Sequence, residues 1–148
     1  MAYTRYADDL TFSTDDAITS DDILDIINLI KNNRFEINEK KLRLKTSNRK
    51  QTVTGLTVNE KVNVDRKLLK RIRAMLHDMT TNGIDTATKC HFNLKTEVEV
   101  KHRVKFIIQL EGYINFVGQV RGKYEPLYVK QKTSFNDVFD PIEIEKIA

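Results

Sequence analysis

Apolar side chains recur with the period of an α-helix in three stretches of the chain. The first predicts a helix over about 21–32, with Ser20 as its N-cap and a buried face of isoleucines. The second follows Asp65, a favourable N-cap residue, and ends at Asn82-Gly83. Its apolar positions predict one packed face, formed by Leu68, Leu69, Ile72, Met75, Leu76 and Met79.

The third periodic stretch covers about 98–121 and is apolar around most of its circumference. Its two apolar sides are formed by Val104, Ile107, Ile108, Ile114 and Val117, and by Phe106, Leu110, Tyr113 and Val120. We therefore expect this helix at the centre of a small helical bundle, with its end at Gly122. The Thr-rich residues before it are expected to form a link. A short helix is predicted from Pro126, and a break is predicted at Pro141.

Alternating apolar and polar residues predict short strands in the first part of the chain. Tyr3–Arg5 and Leu10–Ser13 flank a tight turn at residues 7–9. Residues 35–37 and 42–44 alternate as half-buried strands do, and residues 53–58 predict a hairpin or a bulged strand with Gly55 at the bend. The predicted fold class is α+β, with the strands and first helix followed by the helical bundle.

Charge is distributed unevenly along the chain. Residues 1–39 carry three basic and nine acidic side chains, a balance of −6, whereas residues 40–73 carry twelve basic and two acidic ones, a balance of +10. Phosphates attract lysine and arginine, and the divalent ions that accompany phosphates attract carboxylates. The pattern indicates a cation site beside a track for a polyanion, and the alternative is a solvated charged surface.

The composition limits the class of protein and its location. Of the 148 residues, 40% are hydrophobic and 31% are charged, which fits one globular domain or two small ones. No apolar run approaches the roughly 18 residues of a membrane-spanning helix, and we expect no signal peptide. Because Cys90 is the sole cysteine, no internal disulfide can form. These observations predict a cytoplasmic protein without a membrane partner.

Two adjacent carboxylates, Asp8 and Asp9, lie at the predicted turn between the first two strands. Magnesium prefers carboxylate oxygens and usually keeps other coordination positions for water and phosphate. The same dipeptide recurs at 15–16 and 21–22, where turn formation and helix capping account for it. Cys90, His91 and His102 supply one thiol and scattered imidazoles, which fall short of the four ligands of a structural zinc site.

The segment Tyr6-Ala7-Asp8-Asp9 resembles the signature that bacterial reverse transcriptases of the retron and group II intron type carry on a β-hairpin. Residues 35–41 are similar to that family's next motif, with Asn38 and Lys41 at its Asn-x-x-Lys positions. Residues 51–59 resemble its primer-grip segment, and residues 110–117, followed by Gly122, resemble its thumb helix. The resemblance covers essentially the whole chain. It implies a partial polymerase palm over residues 1–62 and a helical thumb over residues 63–148.

This resemblance implies a role for each matched residue in RNA-directed DNA synthesis with two magnesium ions. Asp8 would be a ligand shared by both ions, and Asp9 would be a second or supporting ligand. Lys41 would lie near the leaving pyrophosphate as a charge stabiliser or proton donor, and the alternative is a solvated lysine. Contacts to the primer or the nucleotide are implied for Tyr6, Ala7, Thr54, Gly55 and Leu56.

A cationic stripe follows the helical period on the second predicted helix, at Arg66, Lys70, Arg73 and His77. As part of a thumb, this stripe would touch the phosphates of a template–primer duplex. Such contacts position nucleic acid without reading its sequence. The alternative is a solvated helix face.

Part of the family's catalytic set finds no counterpart in this chain. Only five residues precede Tyr6, so the fingers, the first palm half and its metal-binding aspartate are unmatched. We therefore expect the C-terminal portion of a polymerase, inactive alone, with the upstream half, an RNA template and a DNA primer as partners. The alternative origins are an expression fragment, a truncated gene and half of a split enzyme, and an unpaired palm edge predicts self-association. The alternative functions are a non-catalytic binding module for the template–primer and an inactive remnant.

Overall fold

The computed structural model describes residues 1–138, so the break predicted at Pro141 lies outside the described residues. The chain divides into two compact units, Met1–Thr54 and Gly55–Ala148. The first unit holds strands and a helix, and the second is mainly helical, which agrees with the predicted α+β class. The division falls within the hairpin predicted at 53–58, whereas the predicted palm–thumb boundary follows residue 62. The identification of the units with palm and thumb stays a prediction.

The first unit begins with the predicted hairpin. Strands β1 (Ala2–Tyr6) and β2 (Asp9–Ser13) are antiparallel, and their register pairs Ala2 with Ser13 and Tyr6 with Asp9. The rings of Tyr3 and Phe12, which also face each other in this register, lie 5.2 Å apart between centroids. This cross-strand aromatic pair stabilises the hairpin.

Helix α1 (Ser20–Asn32) matches the predicted range, but its cap is one residue earlier than predicted. The N-cap is Thr19, whose hydroxyl accepts a hydrogen bond from the Asp22 backbone N–H, while the Asp22 carboxylate accepts one from the Thr19 N–H. This reciprocal capping box satisfies two backbone donors, which a Ser20 cap would not do. The predicted isoleucine face forms, yet it is only half-buried, because the unit supplies too little apolar surface to cover it.

The strands predicted at 35–37 and 42–44 are wrong. Residues 35–38 and 42–46 have no regular structure, and a short 3₁₀ turn (Glu39–Lys41) lies between them. A strand needs a neighbouring strand for its backbone hydrogen bonds. In the part of the chain that the structure describes, the only sheets are two separate two-stranded hairpins, so neither segment has such a neighbour. Phe35, Leu42 and Leu44 are consequently more than half exposed.

The second hairpin consists of β3 (Thr52–Val53) and β4 (Leu56–Thr57), with Gly55 in the bend as predicted. Both loop residues have positive φ, 47° at Thr54 and 84° at Gly55. Two-residue hairpin loops with this property match the right-handed twist of the strands, and glycine adopts it without strain. A β-branched threonine does so only at a cost, so Thr54 is a strained position.

Three helices form the second unit: α2 (Arg66–Phe92), α3 (Val100–Arg121) and α4 (Pro126–Val138). Asp65 caps α2 as predicted, since its carboxylate accepts from the Lys67 N–H at 2.7 Å. Gly83 interrupts α2 with φ 79° and ψ 163°, which is the predicted stop. The chain then resumes as helix, so the link predicted here is wrong: the true loop is 93–99. Burial of Ala87 and Thr88 explains why this Thr-rich stretch is helical, because packing outweighs its weak propensity.

The core of the second unit is built around α3, which contacts both α2 and α4. Met75 and Met79 are core residues as predicted. One apolar position was assigned wrongly: Ile108 is 65% exposed, because α3 turns only one stripe toward its neighbours. The buried apolar residues are Val64, Leu69, Ile72, Met75, Leu76, Met79, Ala87, Phe106, Ile107, Leu110, Ile114, Val117 and Phe135. Within residues 1–138, no helix combines the length and apolar character that crossing a membrane requires.

Candidate catalytic and nucleic-acid-binding residues

The acidic couplet, Asp8 and Asp9, lies at the loop end of the β1–β2 hairpin. Asp9 is the first residue of β2 and faces Tyr6, so the loop consists of Ala7 and Asp8 alone. Ala7 has φ 51°, a left-handed conformation that a two-residue hairpin loop requires and that alanine rarely adopts. Both carboxylates are exposed.

Arg5, in strand β1, stabilises this loop through its side chain. Its Nε donates a hydrogen bond to the Ala7 carbonyl at 2.8 Å, and its guanidinium carbon lies 5.9 Å from the centroid of the Phe35 ring. The first contact satisfies a loop carbonyl, and the second is a cation–π interaction with the segment that follows α1. Sequence reasoning did not single out Arg5, because its contact with Phe35 depends on the fold.

The acidic couplet suits a divalent cation as a partial ligand set. Neither carboxylate forms a hydrogen bond or an ion pair with any other residue in 1–138, so their oxygens are available. Carboxylate oxygens are the protein ligands that magnesium prefers, and magnesium sites often hold only one or two of them. The described residues contain no group of three or more His, Cys, Asp or Glu side chains that could enclose a metal ion. Further ligands would come from water, phosphate or another polypeptide segment.

Lys41 ends the 3₁₀ turn, and Asn38 caps it. The Asn38 side-chain oxygen accepts from the Lys40 N–H at 3.2 Å, and the Lys41 N–H donates to the Asn38 carbonyl at 2.8 Å. Asn38 therefore has a local structural role, while the Lys41 side chain is exposed. Across residues 1–138, Lys41 forms no hydrogen bond or ion pair with the acidic couplet, so the structure does not bring these predicted site residues into contact.

The predicted primer-grip residues lie in the second hairpin. Thr54 and Gly55 are exposed in its loop, and Leu56 is half-buried at the start of β4. A Cβ added to Gly55 would meet no atom within 4 Å, so in the free chain the positive φ, rather than a crowded neighbour, requires glycine here.

The cationic stripe is exposed as its helical spacing predicts. Arg66, Lys70, Arg73 and His77 all lie on the solvent side of α2, opposite the buried residues. Between Arg66 and Asn82 the one acidic residue, Asp78, is half-buried and paired with His91 at 2.8 Å. The lysine and arginine residues of this segment all lie between Arg66 and Arg73, so its first half presents a positively charged surface, which suits phosphate groups.

Cys90, His91 and His102, the residues considered for a zinc site, do not form a shared ligand set among the described residues. The His91 ring lies between its Asp78 partner and the Phe106 ring, at 5.9 Å between ring centroids. His102 accepts a hydrogen bond at Nδ1 from the Glu99 backbone N–H and so belongs to the N-terminal cap of α3. Cys90 is exposed. His91 and His102 thus have structural partners in the bundle.

A polar network that sequence reasoning missed joins the α3–α4 turn to the segment before α2. The Arg121 guanidinium donates to the Glu125 carboxylate and, at 3.3 Å, to the Asn63 side-chain oxygen. Glu125 also accepts from the Leu127 and Tyr128 N–H groups, at 2.9 and 3.2 Å, and so caps α4. Burial raises the pKa of Glu125, but the hydrogen bonds from Tyr128 and Arg121 outweigh it and lower the pKa below its ordinary value.

Curated proteins with similar sequences include two reverse transcriptases of retrons. The chain is 37% identical over 92 residues to the Retron Mx65 reverse transcriptase of Myxococcus xanthus, a match that covers 62% of this chain and 22% of that protein. It is 37% identical over 81 residues to the Retron Ec86 reverse transcriptase of Escherichia coli, which covers 52% of this chain and 25% of that protein. No family model and no solved structure matches.

These matches confirm the resemblance stated from the motifs: the chain carries a retron-type reverse transcriptase region. The matched segments amount to about a quarter of the length of these relatives.

Proposed function

We propose that this chain is the C-terminal portion of a retron RNA-directed DNA polymerase, with palm residues over 1–62 and a helical thumb over 63–148. The observation that carries the proposal is the position of Asp8 and Asp9 at the loop end of the β1–β2 hairpin, where both carboxylates are exposed and form no hydrogen bond or ion pair with another residue in 1–138. The two retron relatives and the positively charged face of α2 support it.

Asp8 and Asp9 would hold magnesium in this enzyme, with a further aspartate from an upstream half completing the ligand set. The bound ions would activate the primer 3′-hydroxyl and stabilise the phosphates of the incoming nucleotide. Tyr6 and Ala7 are next to these ligands on the hairpin, so they would contact the primer terminus or the nascent base pair. Lys41 would stabilise the charge of the leaving pyrophosphate or supply a proton to it.

The remaining predicted contacts would hold the primer and the duplex. Thr54, Gly55 and Leu56 would support the primer terminus, and the strained conformation of Thr54 is typical of functional loops. Arg66, Lys70 and Arg73 would contact phosphates of the hybrid duplex without reading sequence.

Primer extension tests this function. The chain is mixed with a polypeptide that supplies the fingers and the first palm half of a retron reverse transcriptase, then given an RNA template, a DNA primer, deoxynucleotides and Mg²⁺. We expect magnesium-dependent extension from the mixture and none from either part alone. Failure of a mixture that forms a stable complex to extend the primer would contradict the proposal.

A second candidate function, non-catalytic binding of the template–primer duplex, is favoured by the exposed cations of α2. It predicts salt-dependent binding of an RNA–DNA duplex by this chain alone, with no extension when the upstream half is added. The two functions are therefore separated by the same mixture: extension supports the polymerase, and binding without extension supports the binding module.

A further inference from the structure

Tyr124 is the most exposed large hydrophobic side chain among residues 1–138. Its exposed fraction is 97%, compared with 70% for Tyr6 and 54% for Tyr3. An aromatic ring in this position has no packing role in the bundle. Tyrosine rings exposed to this degree leave both faces open to a ligand.

The turn that carries Tyr124 is held rigidly. Gly122 ends α3 with φ 103°, and the Glu125 N–H donates to the Gly122 carbonyl at 3.2 Å, which closes the turn. Glu125 then caps α4 and is paired with Arg121 at the end of α3. Both ends of the turn are therefore fixed to helices, so the ring can meet a ligand without a large loss of backbone entropy.

The charges around this turn favour an anionic ligand. Lys123, the neighbour of Tyr124, is exposed, whereas the acidic residue of the turn, Glu125, is neutralised by Arg121. Arg121 also binds Asn63, which stands two residues before the N-cap of α2. The turn is thus linked to the segment where the exposed cations Lys61, Arg66 and Lys67 are concentrated.

From these observations we infer that Tyr124 and Lys123 form a binding site for an unpaired nucleotide, with the base stacked on the Tyr124 ring and its phosphate near the Lys123 ammonium group. Exposed aromatic rings beside cations are the features by which proteins bind single-stranded nucleic acid, and stacking tolerates any base. The inference rests on the proposed function only in that the chain binds nucleic acid.

Fluorescence anisotropy with the full chain tests the site. The probes are a labelled RNA–DNA duplex with blunt ends, the same duplex with a single-stranded overhang, and that duplex with abasic nucleotides in the overhang. Overhangs of RNA and of DNA are compared, so that the two sources of unpaired base are distinguished. Tyr124→Ala should weaken binding of the overhang duplex about tenfold, the size expected for one stacked base, and leave blunt-duplex binding unchanged.

Matched variants separate stacking from other effects. Tyr124→Phe keeps the ring and should bind as the parent chain does. Lys123→Ala should weaken overhang binding, whereas Lys95→Ala, an exposed lysine in the α2–α3 loop, should not. With the abasic overhang, Tyr124→Ala and the parent chain should bind equally. Circular dichroism of each variant should match the parent, because Tyr124 and Lys123 pack against nothing in the core.

Three results of these binding measurements would contradict the proposed Tyr124–Lys123 site. Equal affinity of Tyr124→Ala and the parent for the base-bearing overhang would overturn it, and would do so even while the blunt duplex is bound and the proposed function stands. Loss of affinity for the blunt duplex as well would also overturn it, since the ring would then act on the whole complex. If the parent chain bound no nucleic acid of any kind, both this inference and the duplex-binding role of α2 would fail.

Discussion

Tyr6 and Asp9 face each other across the β1–β2 ladder, and this pairing leaves Ala7 and Asp8 as the whole loop. A shift of the register by one residue would move the side chains of one strand to the opposite face and change the loop length. The position of the acidic couplet therefore depends on the cross-strand pairs behind it, above all on the Tyr3–Phe12 contact.

Two glycines of α3 should respond oppositely to the same substitution. A Cβ at Gly112 would meet no atom within 4 Å, whereas a Cβ at Gly118 would lie 2.5 Å from Cε2 of the Tyr128 ring. Gly112→Ala should therefore raise the free energy of unfolding by about 0.5–1 kcal/mol, because alanine loses less backbone entropy in a helix. Gly118→Ala should lower it by about 1–3 kcal/mol through overpacking.

Urea unfolding of both variants measures this difference. An equal effect of the two substitutions, or a stabilising Gly118→Ala, would show that α4 does not pack on α3 through Tyr128 as described. Gly118→Ala combined with Tyr128→Ala serves as a control, because removal of the ring should relieve part of the overpacking.

The cap of α4 should make stability depend on pH. The hydrogen bonds that lower the pKa of Glu125 in the folded chain favour its ionised form, so its contribution is present above the ordinary value of 4.5. That contribution is lost as the pH falls through the lower folded pKa. Glu125→Gln should therefore cost roughly 1 kcal/mol near neutral pH and progressively less in acid.

Thermal unfolding of the parent and Glu125→Gln across this pH range measures the effect. A stability difference that stayed constant from neutral pH to well below 4.5 would contradict the role of the Glu125 carboxylate. Glu97→Gln is a matched control, because Glu97 is exposed in the α2–α3 loop and caps no helix.

The cationic stripe should set the salt dependence of duplex binding. If Arg66, Lys70 and Arg73 each neutralise one phosphate, their replacement by alanine should reduce the slope of log affinity against log salt by roughly three. The triple substitution of Lys89, Lys95 and Lys101 removes the same charge elsewhere on the second unit and should leave the slope nearly unchanged. Equal slopes for the two triple variants would indicate that the α2 face is merely solvated.

Local sequence signals were sufficient for the elements that depend on neighbouring residues. Both hairpins, the approximate range of α1 and the caps at Asp65 and Gly122 follow from turn chemistry and helical periodicity, although the N-cap of α1 is Thr19 and not the predicted Ser20. These local signals gave wrong predictions where the secondary structure depends on residues far away in the sequence. Residues 35–37 alternate as a strand does but have no strand beside them in the described chain, and residues 84–92 are helical because the core buries Ala87 and Thr88.

For the candidate site too, the sequence predicted the local positions of residues but not their long-range contacts. The motif placed Asp8 and Asp9 on a hairpin turn; in the structure Asp8 lies in the turn, and Asp9 is the first residue of the strand that follows it. The support of that loop by Arg5 and the network of Arg121 with Asn63 and Glu125 join residues whose contacts depend on the fold, so periodicity carried no sign of them.

The central claim is that Asp8 holds a catalytic metal ion, and primer extension by the reconstituted polymerase with Asp8→Asn tests it most directly. The matched control is Asp15→Asn, because Asp15-Asp16 is the same dipeptide in an exposed segment without an assigned role. We predict that Asp8→Asn lowers the extension rate roughly 100-fold or more, since metal stabilisation of the transition state is worth several kcal/mol, and that Asp15→Asn leaves the rate unchanged. Extension at the parent rate by a folded Asp8→Asn enzyme would contradict the claim.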